Sequence, residues 1–121
     1  MKYTKDHEWL RVEGDLVVVG ITEHAATALG DVVFVELPEP ETMVAEGDEV
    51  SVIESVKAAS DILAPVDGEI VAVNEKLTDS PALVNEDPLG AGWFFKMTIA
   101  DAGQLDGLMD EAGYKAFVEG L

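Results

Sequence analysis

The chain has 121 residues, 48% of them hydrophobic and none of them cysteine. That length supports one hydrophobic core, hence a single domain over 1–121, with a globular composition; the missing thiols exclude disulfides, thiolate metal sites and cysteine nucleophiles. The net charge of −18, from 25 acidic and 7 basic side chains, repels phosphate backbones and argues against nucleic acid as a partner. Such acidity reads either as a solvated surface or as steering toward partners with basic faces.

In chain order, the opening Met1-Lys2-Tyr3-Thr4-Lys5-Asp6 has neither an apolar signal core nor an Arg-rich transit pattern, so the expectation is a cytoplasmic bacterial protein, ahead of a mature mitochondrial one. No apolar run is long enough to span a membrane. Trp9–Val12 and Leu16–Val19 flank Glu13-Gly14-Asp15 and predict a hairpin. Thr22 is placed to cap a short helix over Glu23–Leu29, which Gly30 stops. Val32–Leu37 predicts a buried strand ended by Pro38 and Pro40. Gly47-Asp48 turns into a strand over Val50–Glu54, Ile62–Ala64 leads to Pro65, and Asp67-Gly68 turns into Glu69–Val73.

Trp93, Phe95, Met97 and Ile99 alternate with Phe94, Lys96 and Thr98 at a strand period. Leu105, Leu108, Met109 and Ala112, then Tyr114, Phe117, Val118 and Leu121, fall at helical spacing; the expectation is two C-terminal helices, the first capped by Asp101, separated by Gly113 and packed on the β body. A short internal echo relates Ala45–Val52 to Pro65–Ala72, each a Gly turn followed by a strand, with Lys57 near the centre between them. A pseudo-twofold β sandwich with Lys57 at a hairpin tip has this pattern.

Lys57 stands apart. Val12–Val56 is a run of 45 residues that holds eleven acids and neither Lys nor Arg. Lys57 then appears in Glu54-Ser55-Val56-Lys57-Ala58-Ala59-Ser60-Asp61, among small or apolar neighbours with strand-like segments on both sides. A swinging cofactor arm needs an amine of this kind, fixed in position on a rigid turn and open to an attaching enzyme. The competing reading is an ordinary solvated lysine, or one paired with Glu54 or Asp61 at a gain of about 0–1 kcal/mol. Lys2, Lys5, Lys76, Lys96 and Lys115 lack the setting of Lys57.

The segment Glu54-Ser55-Val56-Lys57-Ala58, with Ser60-Asp61 following, resembles the lipoyl attachment motif of glycine cleavage system H proteins. So do His7-Glu8-Trp9, Val19–Thr22, Leu29–Pro38, Ala64–Glu69, Asp79–Pro88, Gly92-Trp93 and Ala112-Gly113-Tyr114, which together cover essentially the whole chain. Biotin carriers usually have Met-Lys-Met at the tip and acyltransferase lipoyl domains Asp-Lys-Ala; Val56-Lys57-Ala58 fits neither as well. One departure is Leu89, where many family members have Tyr; the expectation there is an effect on packing or a partner contact.

The resemblance implies a mainly β fold, a barrel-sandwich hybrid with the short helix near 22–29 and C-terminal helices. It implies lipoate bound covalently on Lys57, with Glu54, Ser55, Val56 and Ala58 as the attachment motif. It implies a non-catalytic carrier of the aminomethyl intermediate of glycine decarboxylation; a monomer is the expectation because a shuttle must present one tip to several partners. The implied partners are a pyridoxal-phosphate glycine decarboxylase (P protein), an aminomethyltransferase (T protein), a flavin-containing dihydrolipoyl dehydrogenase (L protein) and a lipoate-attaching enzyme. In the family the loaded arm is held against the carrier body. Glu8 and Asp61 are the candidate carboxylates for its ammonium and Trp9 a candidate cleft wall, against the alternative of two solvated acids and a core aromatic.

His7 and His24 are too few for a metal site. Ser55 has no neighbouring histidine to act as base, and Gly90-Ala91-Gly92 is no phosphate cradle. An H-like lipoyl donor, a biotin carrier and an unmodified acidic interaction module remain as alternatives; an enzyme is disfavoured because no nucleophile–base pair emerges.

Overall fold

Gly14, at φ 61, closes the first hairpin, joining β2 (Glu8–Glu13) to β3 (Leu16–Ile21) in the register Trp9↔Gly20 and Leu10↔Val19. The computed structural model describes all residues 1–121. With β1 (Lys2–Tyr3), β5 (Thr42–Val44), β8 (Gly68–Val73) and β9 (Phe95–Thr98), these strands form an antiparallel sheet of order β1-β2-β3-β9-β8-β5. β4 (Val32–Glu36), β6 (Glu49–Ser55) and β7 (Ala59–Leu63) form a second, three-stranded sheet of order β4-β6-β7. The protein is a barrel-sandwich hybrid. Val17, Val19, Ile21, Ile53, Ile62, Ile70, Phe95 and Met97, all buried, close its core. The two echoed segments supply β6 and β8, one to each sheet.

Helix α1 (Glu23–Leu29) has the expected ends: Thr22 Oγ1 accepts from the Ala25 N–H at 3.3 Å, and Gly30 stops the helix at φ 75, ψ −156, a conformation nearly confined to glycine. Two single-turn helices not expected from periodicity, α2 (Lys76–Asp79) and α3 (Leu83–Glu86), bury Leu77 and Val84. They are too short to show a helical stripe.

Two expectations need correction. Val32–Leu37 is not a buried strand: only Val32 and Val35 are buried, while Val33 and Phe34 are about half exposed. A β-bulge between Val32 and Phe34 inserts a residue, so alternation fails and both side chains face outward. Gly113 does not separate two helices. A 3-10 helix (Ala102–Gly107), capped by Asp101, ends before Leu108, and α4 (Glu111–Glu119) contains Gly113 in its first turn. Asp110 caps α4, its side chain accepting from the Gly113 N–H at 2.7 Å. Between the helices, Met109 bridges to Tyr3 and fixes the chain there.

Candidate functional site

The β6–β7 hairpin presents Lys57 to solvent. Ser55 builds the turn: its Oγ accepts from the Lys57 N–H (3.2 Å) and the Ala58 N–H (3.1 Å) and donates to the Ala58 carbonyl (3.0 Å). The Ser55 N–H donates to the same carbonyl, and the Val56 N–H donates to the Asp31 carbonyl, tying the tip to the end of α1. A hydroxyl that binds backbone on both sides of a turn replaces solvent and narrows the turn's conformations. The turn is therefore held by hydrogen bonds on both sides while the Lys57 amine has no partner. The ion pairs of the structure, Arg11–Glu13 and Lys96–Glu13, leave Lys57 unpaired.

The Lys57 stem lies over Gly30, where a Cβ would come within 3.2 Å of Lys57 Cε. Beside it, between α1 and the edge strand β7, a cleft of about 190 Å³ is lined by Ala25, Ala28 and Leu29 on one wall and Ser60, Asp61 and Ile62 on the other. Glu8 also lines it, and lies next to a second hollow of about 360 Å³ bordered by Thr4, Leu63 and Phe117.

Glu8 is 2% exposed. Alternation along β2 puts it on the same face as the core residue Leu10. Its carboxylate accepts from the Leu63 N–H at 2.8 Å and from the Thr4 hydroxyl at 3.2 Å. Burial pushes its pKa up from 4.5 to about 7; the Leu63 hydrogen bond opposes the rise, the Asp6 charge adds to it and the Thr4 hydroxyl opposes it. An acid without a cationic partner in this setting stays half protonated near neutrality, and an ammonium brought into the cleft would favour its ionised form.

The other proposed cleft residues are placed differently. Asp61 is exposed and pairs with Val52 on the solvent side of the small sheet, so it stands at the cleft's rim. Trp9 does not wall the cleft. One residue from Glu8, it points to the opposite face of β2, fully buried with Tyr3, Val18 and Tyr114. Its indole N–H donates to the Pro88 carbonyl at 2.9 Å. Leu89 packs against the same cluster.

Two residues around Glu8, one bordering the second hollow and one lining the cleft, had no role assigned from sequence. Thr4 bonds the Glu8 carboxylate, and its Oγ1 also accepts from the Asp6 and Glu8 N–H groups. His7 lines the cleft at φ 65, held by Tyr114, whose hydroxyl lies 2.7 Å from both His7 Nδ1 and Thr22 Oγ1. Burial, then the neighbouring His24, lower the His7 pKa. Nothing in the spacing of these residues reveals contacts that span from β1 to α4. No group of three metal-ligating side chains is present.

The comparisons agree with this architecture. The family model described as glycine cleavage H-protein matches residues 1–120. A glycine cleavage system H protein of Beijerinckia indica is 59% identical over 120 residues, covering 99% of this chain and 97% of the relative. One from Phenylobacterium zucineum is 57% identical, covering 98% of each. The crystal structure of a glycine cleavage system H protein from Mycobacterium marinum superposes with a TM-score of 0.88 at 41% identity, covering 99% of this chain and 96% of that one. The chain belongs to the glycine cleavage H-protein family, the lipoyl carriers of glycine catabolism.

Proposed function

We propose that this protein carries lipoate in amide linkage on Lys57 and shuttles the aminomethyl intermediate of glycine decarboxylation from the P protein to the T protein, with reoxidation by the L protein. The observation that carries this reading is the unpaired, solvent-exposed Lys57 on a hairpin tip stiffened by Ser55 and set among small neighbours, Ala58 and Ala59. Bound lipoate would supply the disulfide that this cysteine-free chain lacks.

The chain's own residues position and protect. Glu54, Ser55, Val56 and Ala58 frame the amine for the attaching enzyme. The cleft that begins at Leu29 beside the Lys57 stem and reaches Glu8 matches what a loaded arm needs: an apolar wall, a sealed carboxylate for an ammonium, and a rim carboxylate at Asp61. Keeping water from the labile end is the cleft's task, and tethering raises effective concentration at each partner. The chain makes and breaks none of the bonds of the cycle. It works as a single monomeric domain, and its bacterial relatives support a bacterial cytoplasmic setting.

The test is the intact mass of the protein made in a lipoate-competent host, beside Lys57→Ala. A gain of one lipoyl group, absent from the variant, is expected. A biotinyl gain, or none even after treatment with an active ligase, would overturn the reading. For the cleft, Glu8→Ala and Asp61→Ala carriers should release the loaded amine faster than the parent; equal lifetimes would remove the cleft role.

A further inference from the structure

The solvent side of the three-stranded sheet is not the polar face that a half-exposed antiparallel sheet normally presents. The β4 bulge turns Val33 and Phe34 outward together, 54% and 47% exposed, and Phe34 stands directly opposite Glu54 in the register. Val52 and Ala59 occupy the same side of the neighbouring strands. Val56, 67% exposed, extends the apolar surface to the residue before Lys57. Around this centre stand Glu36, Glu54 and Asp61, with Asp31 at the tip. No Lys or Arg other than Lys57 lies between Val12 and Glu75. The bulge keeps Val32 and Val35 both in the core while it turns the two residues between them outward, the kind of re-aiming for which strands use bulges.

We propose that this face, centred on Val33 and Phe34, is the docking surface for the enzyme that acylates Lys57, and that the enzyme meets it with an apolar recess rimmed by Lys and Arg. Charge complementarity selects such a rim: the acids around the patch repel a second copy of this chain, which would bring the same acids, and attract basic groups. Position selects the acylating enzyme among the carrier's partners. The patch lies within two strand spacings, roughly 10 Å, of both strands of the hairpin whose tip bears Lys57. Partners that act at the end of the arm reach the carrier across its length. The acylating enzyme has no arm to use and must seat the lysine amine itself in its active site. In that step Lys57 Nζ forms an amide with the carbonyl carbon of an acyl adenylate. The bond from that carbon to the adenylate oxygen breaks, AMP leaves with the electron pair, and the amine's proton passes to the enzyme or water.

The proposal rests on the reading that Lys57 is the lipoylated residue, and the experiment separates the two. The full-length apo protein is incubated with a lipoate–protein ligase, lipoate and ATP, and the acylation rate is followed by intact mass across carrier concentration and salt. Val33→Glu and Phe34→Glu should lower kcat/KM about tenfold or more, chiefly through KM, with the melting temperature unchanged; a buried apolar anchor at an interface typically carries that much. Phe34→Leu should retain most of the parental rate, and Met43→Glu, at an equally apolar exposed site on the other sheet (71% exposed), should be silent. Parental kcat/KM should fall as salt rises. Parental kinetics in Val33→Glu and Phe34→Glu, or equal loss in Met43→Glu, would overturn the docking surface while leaving Lys57 as the lipoylated residue. A parental dimer abolished by Phe34→Glu would assign the patch to self-association and also overturn it. No acylation of the parent would overturn both readings.

Discussion

The Glu8 carboxylate accepts the Leu63 N–H at 2.8 Å, so a buried acid on β2 of the large sheet satisfies the backbone of β7, the edge strand of the small one. Glu8 thereby joins the two sheets, and it does so with a group whose protonation changes near neutral pH.

The first prediction concerns pH. The folded-state pKa of Glu8, about 7, is raised above the ordinary 4.5, so the folded protein holds a proton that the unfolded chain has lost. Its contribution is fully present below pH 4.5 and declines as pH rises to about 7, an effect on the order of 3 kcal/mol. Urea denaturation of the apo protein at pH 5 and pH 8 should show this loss, and Glu8→Gln, which cannot ionise, should flatten the difference. An unchanged pH slope in Glu8→Gln would assign the dependence to other acids.

Gly20 faces the Trp9 ring so closely that an added Cβ would lie 2.6 Å from its nearest carbon. Trp9 is fully buried and anchored to the Pro88 carbonyl, so it has little freedom to withdraw. Gly20→Ala should destabilise the protein by about 1–3 kcal/mol, the usual cost of overpacking. Chemical denaturation measures it, and a near-neutral result would mean that the β2–β3 pair shifts to accommodate the methyl group.

Ser55→Ala removes the acceptor shared by the Lys57 and Ala58 N–H groups and the donor to the Ala58 carbonyl. The site is solvent-exposed, so the global cost should be only about 1 kcal/mol. The local effect should be larger: the Lys57 and Ala58 amides should exchange with deuterium faster than in the parent while core amides keep their protection. Unchanged exchange at the tip would show that the backbone alone holds the turn.

Glu41 adopts φ 67, a left-handed conformation that side chains with a Cβ reach at a cost, while its N–H donates to the Ile70 carbonyl at 2.6 Å. Glu41→Gly keeps that hydrogen bond and relieves the strain. It should raise stability by about 0.5–1 kcal/mol, since the relief of αL strain exceeds glycine's extra chain entropy. A lowered melting temperature would mean that the Glu41 side chain contributes more than its backbone costs.

What the sequence by itself determined is local or covalent. The Thr22 cap and Gly30 stop bound α1 because both signals act within one helical turn. The alternation at Phe95 and Met97 places β9 because side-chain direction in a strand depends only on position. The setting of Lys57 was visible because composition around one residue needs no folding to read. Only the tertiary structure decided the rest. Glu8 and Trp9 are adjacent in the chain, yet pleating sends one toward the cleft and the other to the cluster with Tyr3 and Tyr114. Alternation separates the two faces, but it does not say which face holds a cleft until α1 and β7 have packed. The outward turn of Val33 and Phe34 follows from a bulge set by pairing with β6, and the raised pKa of Glu8 follows from burial between sheets that meet only in the fold. These features depend on contacts between residues far apart in the chain, and such contacts leave no periodicity to read.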